Sequence, residues 1–294
     1  MTFLTEPFEA DFMLRALLGG VLVSVLCAVA GTWVVIRGMA FLGEALAHGM
    51  LPGVALATLL GLPVLLGAAM SAVAMTLGIS VLQRRGRLSY DTSIGLLFVG
   101  MLALGVIVIS HSGSFATDAT AILFGDILAI AIDDVVVLAV ATSVGVLVAI
   151  LAHRPLVAAA FDTRVAAVLG LHPRLAHVVL VGLVTLAVVA SYQAVGSLLV
   201  VGLLLAPAVA AGHWSHRIPI IMLLAAAFGA AAVAIGLFLS WYAGTAAGAS
   251  IAGVAIAIAA ASWLVRGVIP RRPRVTDAGT DADVGIGVGA RVTS

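Results

Sequence analysis

The sequence predicts an all-α fold: a polytopic helical membrane protein with about nine transmembrane helices (eight to nine). Three observations carry this. Of 294 residues, 63% are hydrophobic and only 9% charged, with a mean hydropathy of +1.28. Soluble domains carry roughly 25% charged residues, so no sizeable soluble domain fits. Second, apolar runs close to the roughly 20 residues that cross a bilayer recur along most of the chain. Third, the positive charges fall almost wholly in alternate connections between those runs.

The runs are expected at about 14–36, 41–60, 63–82, 92–110, 134–152, 174–192, 195–212, 218–240 and 244–265. Residues 1–13 carry acids where a signal peptide carries a basic segment, so no cleaved signal is expected. The first run is unbroken and contains Cys27. A single cysteine excludes a disulfide framework, and in an apolar run it reads as a buried, inert thiol. The second run is interrupted by Glu44, His48, Pro52 and Gly53. The third to sixth runs and the eighth are continuous. The seventh contains Pro207. The ninth opens in AGTAAGASIAG, whose small residues suit close helix packing.

The connections set the expected orientation. There is no lysine in the chain, and 13 of the 14 arginines (all but Arg15) fall in one alternating set of connections or in the tail. That side is expected to be cytoplasmic. The N-terminus is then outside and the C-terminus inside. The other side is acidic, with Glu6, Glu9, Asp11, Asp118, Asp126, Asp133 and Asp134. The plain reading is that acids tolerate export better than arginine; the sharper one is a vestibule that attracts cations or docks a partner. The connection 111–133 is too long for a turn. Its centre, AILFGDILAI, is apolar but too short to span, which suggests a short helix at or dipping into the outer surface. In the connection 153–173, a short helix is expected from Asp162 as N-cap to about Leu169, closed by Gly170. Residues 266–294 are basic, then polar and aperiodic, and read as a disordered cytoplasmic tail behind a 14–265 membrane domain.

Few residues inside the runs can carry chemistry. Glu44 and His48 are four apart, so a helix places them on one face, one turn apart. A carboxylate and an imidazole so placed can ligate one divalent ion, handle protons, or simply hydrogen-bond between helices. Pro52 and Gly53 loosen the same helix, and Pro207 breaks another; broken helices at membrane depth are tolerated where they line a cavity. Asp91 opens the fourth run, either as a functional acid or as an N-cap. His213 and His216 read as an interfacial belt rather than a metal site. A P-loop needs a lysine, and this chain has none, so ATP hydrolysis through that motif is excluded. HExxH and GxSxG are also missing, and no enzyme is expected.

Over RGMAFLGEALAHGMLPGVALA (Arg37 to Ala57) the sequence resembles the permease subunit of bacterial zinc/manganese ABC importers. The resemblance continues in DTSIGLLFVGMLALGVIVIS (Asp91 to Ser110), LFGDIL (Leu123 to Leu128), FDTRVAAVLGL (Phe161 to Leu171) and VGSLLVVGLLLAPAVAA (Val195 to Ala211). The matches are in order and cover about residues 14–265. The resemblance implies a bundle like that of type II ABC importers, in the bacterial cytoplasmic membrane. It implies a dimer of permeases, a homodimer or a pair with a sister permease, around one path. A separate cytoplasmic ATP-binding subunit and an extracytoplasmic metal-binding protein complete the system. Lipid is the surrounding solvent, and nucleic acid is not an expected partner. Carried over, Glu44 and His48 face the path and touch the passing ion, with Asp91 a second acidic group near the inner side. Pro52, Gly53 and Pro207 shape the path, and 161–171, with Asp162, Arg164 and Gly170, is the coupling helix. No cofactor is held stably; Zn²⁺ or Mn²⁺ is substrate. One carboxylate and one imidazole do not decide between the two metals. The rivals are the same architecture carrying an iron chelate or cofactor, and a proton-driven secondary transporter that works without an ATPase.

Overall fold

The structure, a computed structural model, describes residues 10–85, 89–110, 125–161 and 173–268. Among the described residues all regular elements are helical, and nine segments are long and apolar enough to cross a membrane. The helices are α1 (Asp11–Ile36), α2 (Ala40–Gly49), α3 (Leu51–Leu60), α4 (Val64–Arg85) and α5 (Tyr90–Ser110). A 3-10 turn (Ile127–Ala129) precedes α6 (Ile132–Leu151). Then come α7 (His153–Phe161), α8 (Pro173–Gly212), α9 (Ile218–Ala243) and α10 (Ala247–Val268). Together α2 and α3 make one span, Ala40–Leu60, while α8 supplies two, Leu175–Tyr192 and Ala194–Gly212.

The core forms around α1. Lipid gives helices no hydrophobic reason to associate, so close packing through small residues must do it. Gly31 of α1 lies so near the Leu204 carbonyl of α8 that a Cβ would collide with it. Cys27 is fully buried and its Sγ faces the Val200 carbonyl at 3.9 Å, as expected of an inert thiol. Ser24 donates to the Ala226 carbonyl of α9 at 3.3 Å, beside Gly229.

The two halves of α8 run in opposite directions. Cys27 and Gly31 meet Val200 and Leu204 in the same order, so the second half runs with α1. In the first half, Leu183 and Leu186 lie beside Gly145 together with Leu26, and His177 is within electrostatic reach of Arg37 at the far end of α1. That half therefore runs against α1. The reversal is at Gly196, whose φ of 73° and ψ of 164° are not helical.

Burial separates core spans from peripheral ones. The span Ala194–Gly212 is 72% buried and Asp11–Ile36 is 56% buried, whereas Tyr90–Ser110 and Ala247–Val268 are 22% buried. Exposed Leu66, Met70, Val140, Leu147 and Trp263 line the outer helices, as expected where hydrocarbon is the solvent.

Most expected boundaries agree to within three residues. The membrane domain runs from Asp11 to Val268 rather than 14 to 265, and α10 begins after Gly244, at Ala247. Part of AILFGDILAI is described. It is a single 3-10 turn capped by Asp126 Oδ1, which accepts from the Leu128 N–H at 3.2 Å. Ile127 and Ile130 are buried against Gly20 and Gly19 of α1, so this segment does dip into the bundle. One helix was not expected: α7, which packs Leu156 and Ala159 inward and brings His153 edge-on to Trp33 at 5.9 Å. The tail from residue 269 and the segment 162–172 lie outside the described residues.

Candidate functional site

The site is built on the break between α2 and α3. Pro52 has no N–H to give the His48 carbonyl, so the ladder must stop here. Instead Met50 N–H turns back to the His48 carbonyl, and Pro52 sits in the first turn of α3. The Gly49 carbonyl accepts from Ser71 Oγ of α4 at 2.8 Å. Small residues clamp the break from both sides. Gly53 and Gly67 face each other so closely that a Cβ on either would strike the other's carbonyl oxygen, and Gly105 of α5 abuts Leu51 and Pro52. Thus Pro52 and Gly53 pack against helices of their own chain.

This clamp holds α2 with one face outward. Leu42, Gly43, Ala45, Leu46, Ala47 and Gly49 are buried, while Phe41, Glu44 and His48 form the accessible stripe. Along it, His48 Nε2 donates to Glu44 Oε1 at 2.8 Å. The Glu44 side chain is 37% exposed and that of His48 18%. The imidazole meets Phe98 of α5 at 5.8 Å and 69°, and Phe98 meets Phe41 at 5.5 Å and 68°. His48 Nδ1 is buried and has no hydrogen-bond partner among the described residues. Two ligand-type side chains therefore share one bond and one accessible face.

The other expected residues divide. Asp91 is exposed in the first turn of α5. It does not join Glu44 and His48, since no group of three metal-ligating side chains occurs among the described residues. Nor does it cap its helix: Ser89 Oγ accepts the Thr92 N–H at 3.2 Å. Pro207 is buried near Gly229 of α9, inside a run that stays helical. The expectation that Pro207 breaks its helix is therefore corrected: the helix continues through it, and the reversal at Gly196 falls at the expected boundary between the sixth and seventh runs. Asp162, Arg164 and Gly170 lie outside the described residues. Arg37 occupies the α1–α2 turn, where burial holds its guanidinium below the ordinary value and nearby Tyr90 acts the other way.

The sequence reading missed Phe98, Phe41 and Ser71 as parts of the site. Ser71 was visible only as a hydroxyl in an apolar run. Phe98 had no distinguishing signal among its apolar neighbours.

Nine helical spans among the described residues, one of them broken and carrying an accessible carboxylate–imidazole pair, define a multi-pass membrane permease. The chain matches the ABC 3 transport family over residues 9–266 and belongs to it. It is 36% identical to a manganese transport system membrane protein, MntC, of Listeria innocua, over 88% of this chain and 92% of that one. A probable iron transport system membrane protein of Haemophilus influenzae is 32% identical, over 85% of this chain and 92% of its own length. Among solved structures, PsaBC from Streptococcus pneumoniae in complex with Fab matches with a TM-score of 0.80 and 31% identity, covering 89% of this chain and 94% of that chain.

Proposed function

We propose that this chain is the permease subunit of an ATP-driven importer of a divalent first-row metal ion, Mn²⁺ or Zn²⁺. One observation carries the reading: the Glu44–His48 pair occupies the accessible stripe of an otherwise buried membrane helix. A carboxylate directed at lipid is costly, by roughly 2.5 kcal/mol or more near the bilayer centre. The stripe therefore faces a polar path closed by a second copy of the chain. Two ligands from each copy make a four-ligand site. Before an ion can take both ligands of a copy, the Glu44–His48 bond must open, so the ion competes with an internal partner. That keeps affinity modest, which a path needs because its ion must leave.

The names of the relatives favour manganese, with iron a second cargo of the same ligand chemistry. ATP hydrolysis belongs to a separate cytoplasmic subunit that docks on the segment 161–171, through Asp162, Arg164 and Gly170. An extracytoplasmic protein delivers the ion, and nothing is held as a permanent cofactor. The chain lies in the bacterial cytoplasmic membrane, N-terminus outside and C-terminus inside.

The test is uptake of radioactive manganese, zinc and iron by cells or vesicles carrying the permease with its neighbouring ATPase and binding protein. Uptake should require ATP and fall to background in Glu44→Ala and His48→Ala at unchanged protein levels. Uptake that persists without the ATPase points to a secondary transporter. Uptake that survives both substitutions makes the pair structural.

A further inference from the structure

We infer that Phe98 sets metal selectivity, by restraining the His48 imidazole against Glu44 so that an arriving ion meets the carboxylate before the ring. This rests on the path reading above. His48 has two nitrogens. Nε2 is engaged by Glu44 at 2.8 Å, and Nδ1 is buried without a partner among the described residues. Neither is presented freely at the accessible face. The carboxylate is, at 37% exposure against 18% for the imidazole. What keeps the ring so placed is aromatic packing from another helix. Phe98 of α5 stands edge-on to His48, and is itself braced edge-on by Phe41. Edge-to-face pairs of this kind have directional preference beyond mere area. Ala45, Leu46 and Ala47 are buried on the inner side of α2, so Phe98 is the neighbour whose removal gives the imidazole room to turn.

The chemistry follows from ligand type. Carboxylate oxygen suits Mn²⁺, whereas imidazole suits Zn²⁺ and the later first-row ions, which also bind a given site more strongly. With the ring restrained, an arriving ion meets the carboxylate first, and zinc loses much of its advantage. With the ring free, the imidazole competes for the ion directly. Phe98 touches no ion in this account and is a positioning residue.

The experiment measures ATP-dependent manganese uptake by the full transporter in the presence of graded zinc. It compares wild type, Phe98→Ala and Phe98→Tyr, all matched for membrane level and recovery of the ATPase. Groups that orient a ligand are worth roughly tenfold in metal affinity. Phe98→Ala should therefore need roughly tenfold less zinc for half-inhibition, with the manganese KM changed and the maximal rate nearly kept. Phe98→Tyr, which retains the ring, should keep the wild-type zinc sensitivity. An unchanged zinc sensitivity in Phe98→Ala, or a fall in maximal rate alone, overturns the proposal. A rise in zinc sensitivity in Phe98→Tyr equal to that in Phe98→Ala also overturns it, because a retained ring would then not matter. If wild type moves neither metal, it is the path reading that fails.

Discussion

Gly196 has a backbone conformation that residues with a side chain avoid. Its φ of 73° and ψ of 164° fall in a region that is essentially reserved for glycine. Its neighbour across the turn is Gly125, where an added Cβ would strike the Gly196 amide. Gly196→Ala should therefore cost about 1–3 kcal/mol and lower the thermal unfolding midpoint of the purified protein. Gly182, in the same long helix, has helical geometry and open space around it. Gly182→Ala should do the reverse, stabilising by about 0.5–1 kcal/mol because glycine loses the most freedom in a helix. A midpoint that moves the same way in both variants would contradict this account of the turn. Sequence reading also expected Pro207 to break the seventh run, which it does not. Proline is conspicuous in an apolar run, but here its ring packs beside Gly229 and the helix continues. The turn near Gly196 was legible as the boundary between the runs 174–192 and 195–212, but nothing singled out this one of 32 glycines as the residue that makes it.

At the scale of elements, the broken span 40–60 shows what was legible and what was not. Period and spacing alone placed Glu44 and His48 on one face, and Pro52 marked the break, since both follow from local geometry. How the break is satisfied depends on another helix. Ser71 lies 22 positions away and supplies the hydroxyl for the Gly49 carbonyl. Ser71→Ala leaves a buried acceptor unpaired, which costs about 1–3 kcal/mol. The expected outcome is a lower thermal midpoint together with weakened manganese uptake, because the clamp also orients α2. A thermal midpoint equal to that of wild type would mean that the carbonyl finds water instead. Phe98 was hidden for the same reason as Ser71: its partner is on a different helix, and nothing about a phenylalanine in an apolar run singles it out. The helix α7 was missed because HRPLVAAAF is short and contains Pro155. Proline is tolerated in a first turn, where its missing N–H would be unsatisfied anyway.

At the scale of the whole molecule, the apolar surface and the polar stripe make different demands. Exposed leucines and valines on α4, α6 and α10 need only lipid. The stripe Phe41, Glu44 and His48 cannot be left to lipid, because among the described residues its carboxylate has one partner, its own imidazole. Closure by a second copy related by a two-fold axis is the simplest remedy, since the same patch then faces itself. Under the proposed closure, Phe41, 41% exposed at the edge of the stripe, is the residue expected to approach its counterpart. The chain has one cysteine, Cys27, which is fully buried, so wild type provides an unreactive background. Phe41→Cys in native membranes should form a covalent dimer when treated with a short bifunctional maleimide, visible on a non-reducing gel. Wild type should remain monomeric under the same treatment. If the introduced thiol reacts with a monofunctional maleimide yet never cross-links, the stripe does not face a second copy. The four-ligand site would then lose half its ligands, and a path would have to be sought within one chain.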